Sequence, residues 1–108
     1  MKKETKEFRN EYDRFVLKFL IQNYHISRID LSKAIGLAPS YVREFYNGSR
    51  SFGEEALDKL ETTMFSLYAP LLKNHSFELE QVDHLIQSIE SEEELELFRL
   101  KGANVLDF

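Results

Sequence analysis

The chain has 108 residues, 43% hydrophobic and 13% aromatic, enough apolar surface for one core of ordinary size and too much for wholesale disorder. It has no cysteine, which excludes disulfide staples, thiolate metal sites and cysteine nucleophiles. The net charge of -5 hides a segregation: residues 1 to 50 carry ten Lys and Arg against six Asp and Glu, net +4, and residues 51 to 108 carry four against thirteen, net -9.

Only the amino-terminal half is therefore suited to facing phosphates. The opening Met1-Lys2-Lys3-Glu4 runs into charged residues without the apolar stretch of a signal peptide, and no run approaches the roughly 18 apolar residues of a membrane span, so a soluble cytoplasmic protein is expected. Only Pro39, Pro70 and four glycines break a pattern of apolar residues at helical spacing, which predicts an all-α fold.

Phe8, Tyr12, Phe15, Val16, Phe19 and Leu20 follow steps of three and four and mark the core face of a first helix from about residue 4 to Tyr24. Ser27 followed by Asp30 has the form of a capping box and starts a second helix over about 28 to 35. Gly36 ends it, because glycine takes a left-handed conformation without steric cost, and Pro39 suits the first position of a third helix that runs to Asn47-Gly48.

Ser49-Arg50-Ser51 is read as a polar loop. Ala56, Leu57, Leu60, Met64, Phe65, Leu67 and Tyr68, preceded by Glu54-Glu55 at the favourable end of the dipole, predict a fourth helix ending near Pro70. Leu79, Val82, Ile86 and Ile89 form a narrow stripe on a fifth helix around 77 to 90, with the width of a packing seam rather than of a core face. Ser91 with Glu94 caps a short sixth helix carrying Leu95 and Phe98 and stopping before Gly102, and the tail Ala103 to Phe108 shows no period.

Residues 28 to 48 meet the demands of two closely crossing helices. Leu31 and Ile35 face inward, Ser32 is small at the crossing, Gly36 makes the turn, Leu37 plugs it, and Val42 and Phe45 anchor the third helix. The run Leu31-Ser32-Lys33-Ala34-Ile35-Gly36-Leu37, followed by Val42, Phe45 and Asn47-Gly48, resembles the Cro and phage-repressor (Xre) helix-turn-helix family. The resemblance covers roughly residues 10 to 70 and includes the helix after Phe52; it does not reach residues 74 to 108.

It implies a five-helix DNA-binding domain over residues 4 to 73; the charge split and the narrow stripe, not the resemblance, make residues 74 to 108 an acidic helical extension for dimerisation or partner binding. It also implies that the third helix, 39 to 47, enters the major groove of double-stranded DNA in a transcriptional regulator of phage or mobile-element type. In that setting Arg28 and Lys33 meet the phosphate backbone, Ser40, Tyr41, Arg43, Glu44 and Asn47 face the groove, and Arg50 in the following loop suits phosphate. Arg43 is the expected base reader, since arginine donates two bonds to guanine acceptors.

Pro39 and Ser40 at the start of the reading helix, and the acid Glu44 among its exposed positions, depart from a good reading surface. The stripe Leu79, Val82, Ile86 and Ile89 either forms a homodimer seam or folds back on its own domain, the short link over residues 73 to 76 allowing both, and the weak footprint tilts the reading toward the homodimer. The alternative is a protein-binding module on the same scaffold, an antirepressor or an inhibitor of a defence complex, acting through the acidic carboxy-terminal half with Glu90, Glu92, Glu93, Glu94 and Glu96.

His25, His75 and His84 are too dispersed for a metal cluster, so no metal or other cofactor is expected. No nucleophile, base and orienting group fall in a recognisable order and no glycine-rich phosphate loop occurs, so no enzyme activity is expected either. Tyr41, Phe45 and Tyr46 have the residue types of a base-stacking platform, but helical spacing sends Phe45 into the core and divides the other two between core and surface.

Overall fold

The computed structural model describes residues 1–101. The chain is all-α, with seven helices among the described residues: α1 Lys6–Tyr24, α2 Arg28–Ile35, α3 Pro39–Asn47, α4 Glu54–Leu67, α5 Ala69–Lys73, α6 Ser76–Gln87 and α7 Glu92–Lys101. The expected stop at Gly102 and the tail Ala103 to Phe108 lie outside the described residues.

α1 is the axis of the fold. Thr5 caps it, its hydroxyl accepting from the Phe8 amide at 3.2 Å, and Phe8, Phe15, Val16, Leu17, Phe19 and Leu20 are all buried. Because Asp13, Arg14 and Leu17 are buried as well as the expected face, the helix has neighbours around most of its circumference: α4, α6 and α3 pack against it.

The punctuation between residues 27 and 48 acts as its chemistry requires. Ser27 Oγ accepts from the Asp30 amide at 3.2 Å, and Gly36, at φ 86°, closes α2 with its amide donating to the Ser32 carbonyl at 3.0 Å. Pro39 opens α3 where no intrahelical amide is needed, and Gly48, at φ 83°, ends it. Ser32, fully buried, returns its hydroxyl to the Arg28 carbonyl at 2.8 Å, so the close approach of α2 and α3 leaves no orphaned donor there.

Two expectations are corrected after α4. Pro70 does not terminate that helix: the chain breaks at Tyr68, with φ -110° and ψ 16°, and Pro70 lies in the first turn of the short α5, where its missing amide costs nothing.

The stripe Leu79, Val82, Ile86 and Ile89 is not a seam open to a second copy, since these residues are only 6, 0, 0 and 7% exposed within this chain. The turn between α5 and α6 explains why. His75 packs edge-on against Phe19 at 4.8 Å, and its ring nitrogen meets the Tyr24 hydroxyl at 2.6 Å, which directs α6 back along α1. α7 also packs on α1, with Phe98 against Phe15 at 5.8 Å and Arg99 on Glu11 at 2.6 Å. The buried apolar residues therefore form one cluster from Phe8 to Phe98, continuous across the boundary expected at residues 73 and 74.

Candidate nucleic-acid interface

α3 has two contrasting sides. Val42 and Phe45 are fully buried, whereas Ser40, Arg43 and Asn47, spaced three and four apart, form an exposed stripe. A helix of nine residues would fray at its ends unless held, and α1 holds it.

Arg14, only 4% exposed, donates through Nε to the Phe45 carbonyl at 2.7 Å and through Nη2 to the Arg50 carbonyl at 3.0 Å, so one guanidinium secures both the last turn of α3 and the loop beyond it. Its third arm reaches the buried Glu11 at 3.0 Å, and Arg99 of α7 meets the same carboxylate at 2.6 Å. Burial lowers the pKa of Arg14, with Glu11 opposing that shift.

Asn10 fixes the loop a second time by mimicking a backbone unit. Its Nδ2 donates to the Phe52 carbonyl at 3.0 Å, and the Phe52 amide donates to its Oδ1 at 2.6 Å. Phe52 in turn stacks on Phe45 at 4.1 Å and on Tyr41 at 5.4 Å, and the Arg50 guanidinium lies 4.3 Å from the Tyr41 ring centre.

The expected site residues divide on this scaffold. Arg43, Ser40 and Asn47 are exposed on one stripe, and Arg43 has no ion pair or side-chain hydrogen bond among the described residues. Lys33 is exposed at the last turn of α2. Arg28, on the first turn of α2, is half-buried with its guanidinium 5.5 Å from the centre of the Tyr46 ring. Tyr41 is 37% exposed but committed to the stack on Phe52.

Arg50 and Glu44 are the correction. They form an ion pair with Arg50 Nε 2.6 Å from Glu44 Oε2, and that bond raises the Arg50 pKa further. Arg50 thus has its charge opposed by Glu44, and Glu44 is not the unopposed acid that the sequence suggested: a six-residue separation across the turn at Gly48 brings the two together. The stripe of free polar groups on α3 is narrower, and less acidic, than expected.

Sequence reasoning missed Asn10, Glu11, Arg14 and Lys18. The signal was present, since Glu11 stands three residues after Phe8 and four before Phe15, inside the arc destined for burial, and Arg14 stands three after Glu11. Lys18, half-buried on the same side of α1, has its ammonium 5.5 Å from the centre of the Tyr46 ring.

Among the described residues no group of three or more His, Asp or Glu side chains is placed to hold a metal ion, and no helix is long and apolar enough to cross a membrane. No family model matches the chain, and neither the curated proteins nor the solved structures include a match.

Proposed function

We propose that the chain is a cytoplasmic, non-enzymatic regulator that reads double-stranded DNA by laying α3 in the major groove, in the manner of the Cro and phage-repressor helix-turn-helix proteins that residues 28 to 48 resemble. The observation that carries this reading is the pairing of an exposed, unpartnered Arg43 with a helix whose opposite side is held by the buried Arg14. A side chain that reads base edges needs a rigid support, because a reader displaced by an ångström loses its bidentate geometry.

Arg43 is the base reader, Ser40 and Asn47 flank it, and Arg28 and Lys33 contact phosphate; Arg50 organises the loop. Two phosphate cations per chain make a small footprint, so affinity for one half-site is low and the salt dependence is about two powers of concentration per chain. A homodimer that spans two half-sites uses surface other than the α6 stripe, which is occupied within the chain.

Arg43→Ala relaxes base preference, worth about 1 to 3 kcal/mol of discrimination at one position, whereas Arg28→Ala weakens binding to all duplexes alike and lowers the salt slope by about one. Equal and small effects of both substitutions on a selected duplex would contradict the groove assignment.

A second reading, protein binding through the acidic half, is favoured by one observation: Leu97 and Leu100 are 53 and 82% exposed on α7, next to the exposed Glu92, Glu93, Glu94 and Glu96. A chain that acts only this way shows no duplex binding for salt to weaken.

A further inference from the structure

Beyond the groove-facing surface, α1, the end of α3 and α7 line a cavity of about 120 Å³ that opens to solvent on one side. Its apolar walls are the rings of Phe15, Tyr46 and Phe98, and its charged groups are Arg14, Lys18, Arg99 and Glu11. Glu11 is already committed twice, to Arg14 at 3.0 Å and to Arg99 at 2.6 Å, so one carboxylate stands against three cations.

Lys18 is the cation left over. Its ammonium has no ion pair or hydrogen bond among the described residues and faces the Tyr46 ring at 5.5 Å. Burial, and then the charge of Arg14, lower its pKa, as expected of a half-buried ammonium that lacks an anion.

We propose that this cavity is a binding site for a small carboxylate carrying a single ring, with Lys18 as the group that receives the carboxylate and the three aromatic side chains as the pocket for the ring. The volume is of the order that admits one aromatic ring. Walls of three rings favour a planar apolar body, and an anion close to Lys18 gains a charge-assisted bond in a partly desolvated place, where such bonds are strongest.

The site shares only Asn47 with the proposed DNA surface and takes a different ligand, and its existence does not depend on that reading. Asn47 and Gly48 also line it, so an occupant touches the turn that ends α3 as well as the helix that closes the chain's fold.

Benzoate titrated into the full 108-residue chain, followed by amide chemical shifts and by calorimetry, tests the proposal. The expected result is saturable one-to-one binding with shifts concentrated at Lys18, Tyr46 to Gly48 and Phe98, and at least about tenfold weaker binding of the neutral isostere benzamide. Lys18→Met, which keeps the apolar stem and removes the charge, retains the melting temperature and loses benzoate binding by a similar factor. The proposal is overturned by equal binding of benzoate and benzamide, by unchanged benzoate affinity in Lys18→Met, by shifts spread over exposed cations such as Lys33 and Arg43, or by no saturable shift at all.

Discussion

Asp13 shows what burial does to a single carboxyl. It is 2% exposed, its Oδ2 has no hydrogen-bond partner among the described residues, and desolvation, then the neighbouring Glu61, push its pKa far above the carboxylate range. Glu61 goes the other way: burial opposes its charge, but the neighbouring Asp13 carboxyl and the Arg9 guanidinium, 2.9 Å away, lower its pKa. The proton therefore stays on Asp13 in the folded chain and is lost from it in the unfolded chain above the ordinary carboxylate range.

Since the folded state binds the extra proton there, the contribution of Asp13 to stability is fully present in acid and is lost as pH rises from that range toward the raised pKa. Asp13→Asn supplies a permanent donor in place of the protonated oxygen. It is expected to be stabilising by about 1 kcal/mol or more at pH 8 and close to neutral near pH 4, as thermal melts at the two values report. Equal effects at both pH values would contradict a protonated Asp13. This carboxyl was not legible in the sequence, where an acid beside Tyr12 looks like any solvated residue of an amphipathic helix; its neutrality depends on α4 covering it.

At the scale of elements, the boundaries of α2 and α3 were readable to the residue because their signals are local. Ser27, Gly36, Pro39 and Gly48 act within one turn of where they stand and need no partner from elsewhere. The support of α3 was not readable, because Asn10 and Arg14 reach it from more than thirty residues away in sequence.

The ion pair between Glu44 and Arg50 is local, six residues apart, but depends on the turn at Gly48 to bring the two side chains together, and it gives the element a testable property. Both side chains are substantially exposed, 39 and 42%, so the pair contributes little to stability. Glu44→Gln removes a negative charge from the groove-facing side and releases Arg50 toward phosphate, so the variant melts at nearly the wild-type temperature and binds duplex DNA several-fold more tightly, with a salt slope steeper by about one. Weaker DNA binding by this variant would mean that Glu44 itself contacts a base.

For the whole molecule, the decisive feature is that the acidic carboxy-terminal third is built into the core. Sequence could not show this, because a stripe at three, four and three residues reads the same whether its partner is another chain or α1; the choice is made by His75, Phe19 and Tyr24 at the turn. Ile86→Ala separates the two cases. Ile86 is fully buried in the single chain, so the substitution is expected to cost about 2 to 4 kcal/mol in denaturant unfolding, with a midpoint that does not move with protein concentration. A concentration-dependent midpoint in the wild type that Ile86→Ala abolishes would restore the seam.

The fold-back also bears on charge. It keeps Arg99 of the acidic half against Glu11 of α1, behind α3, while the exposed acids of α7 add to the overall net charge of -5 that any duplex must overcome.

The most direct measurement of the central claim is selection of bound fragments from randomised duplex DNA at about 50 mM and about 200 mM salt, with the wild-type chain and Arg43→Ala in parallel. The wild type is expected to enrich a defined site containing a guanine, with a yield that falls at the higher salt, and Arg43→Ala to lose preference at that guanine while retaining the rest of the site. No enrichment at either salt by a folded, monodisperse protein, or an identical site recovered by Arg43→Ala, would contradict the placement of α3 in the groove.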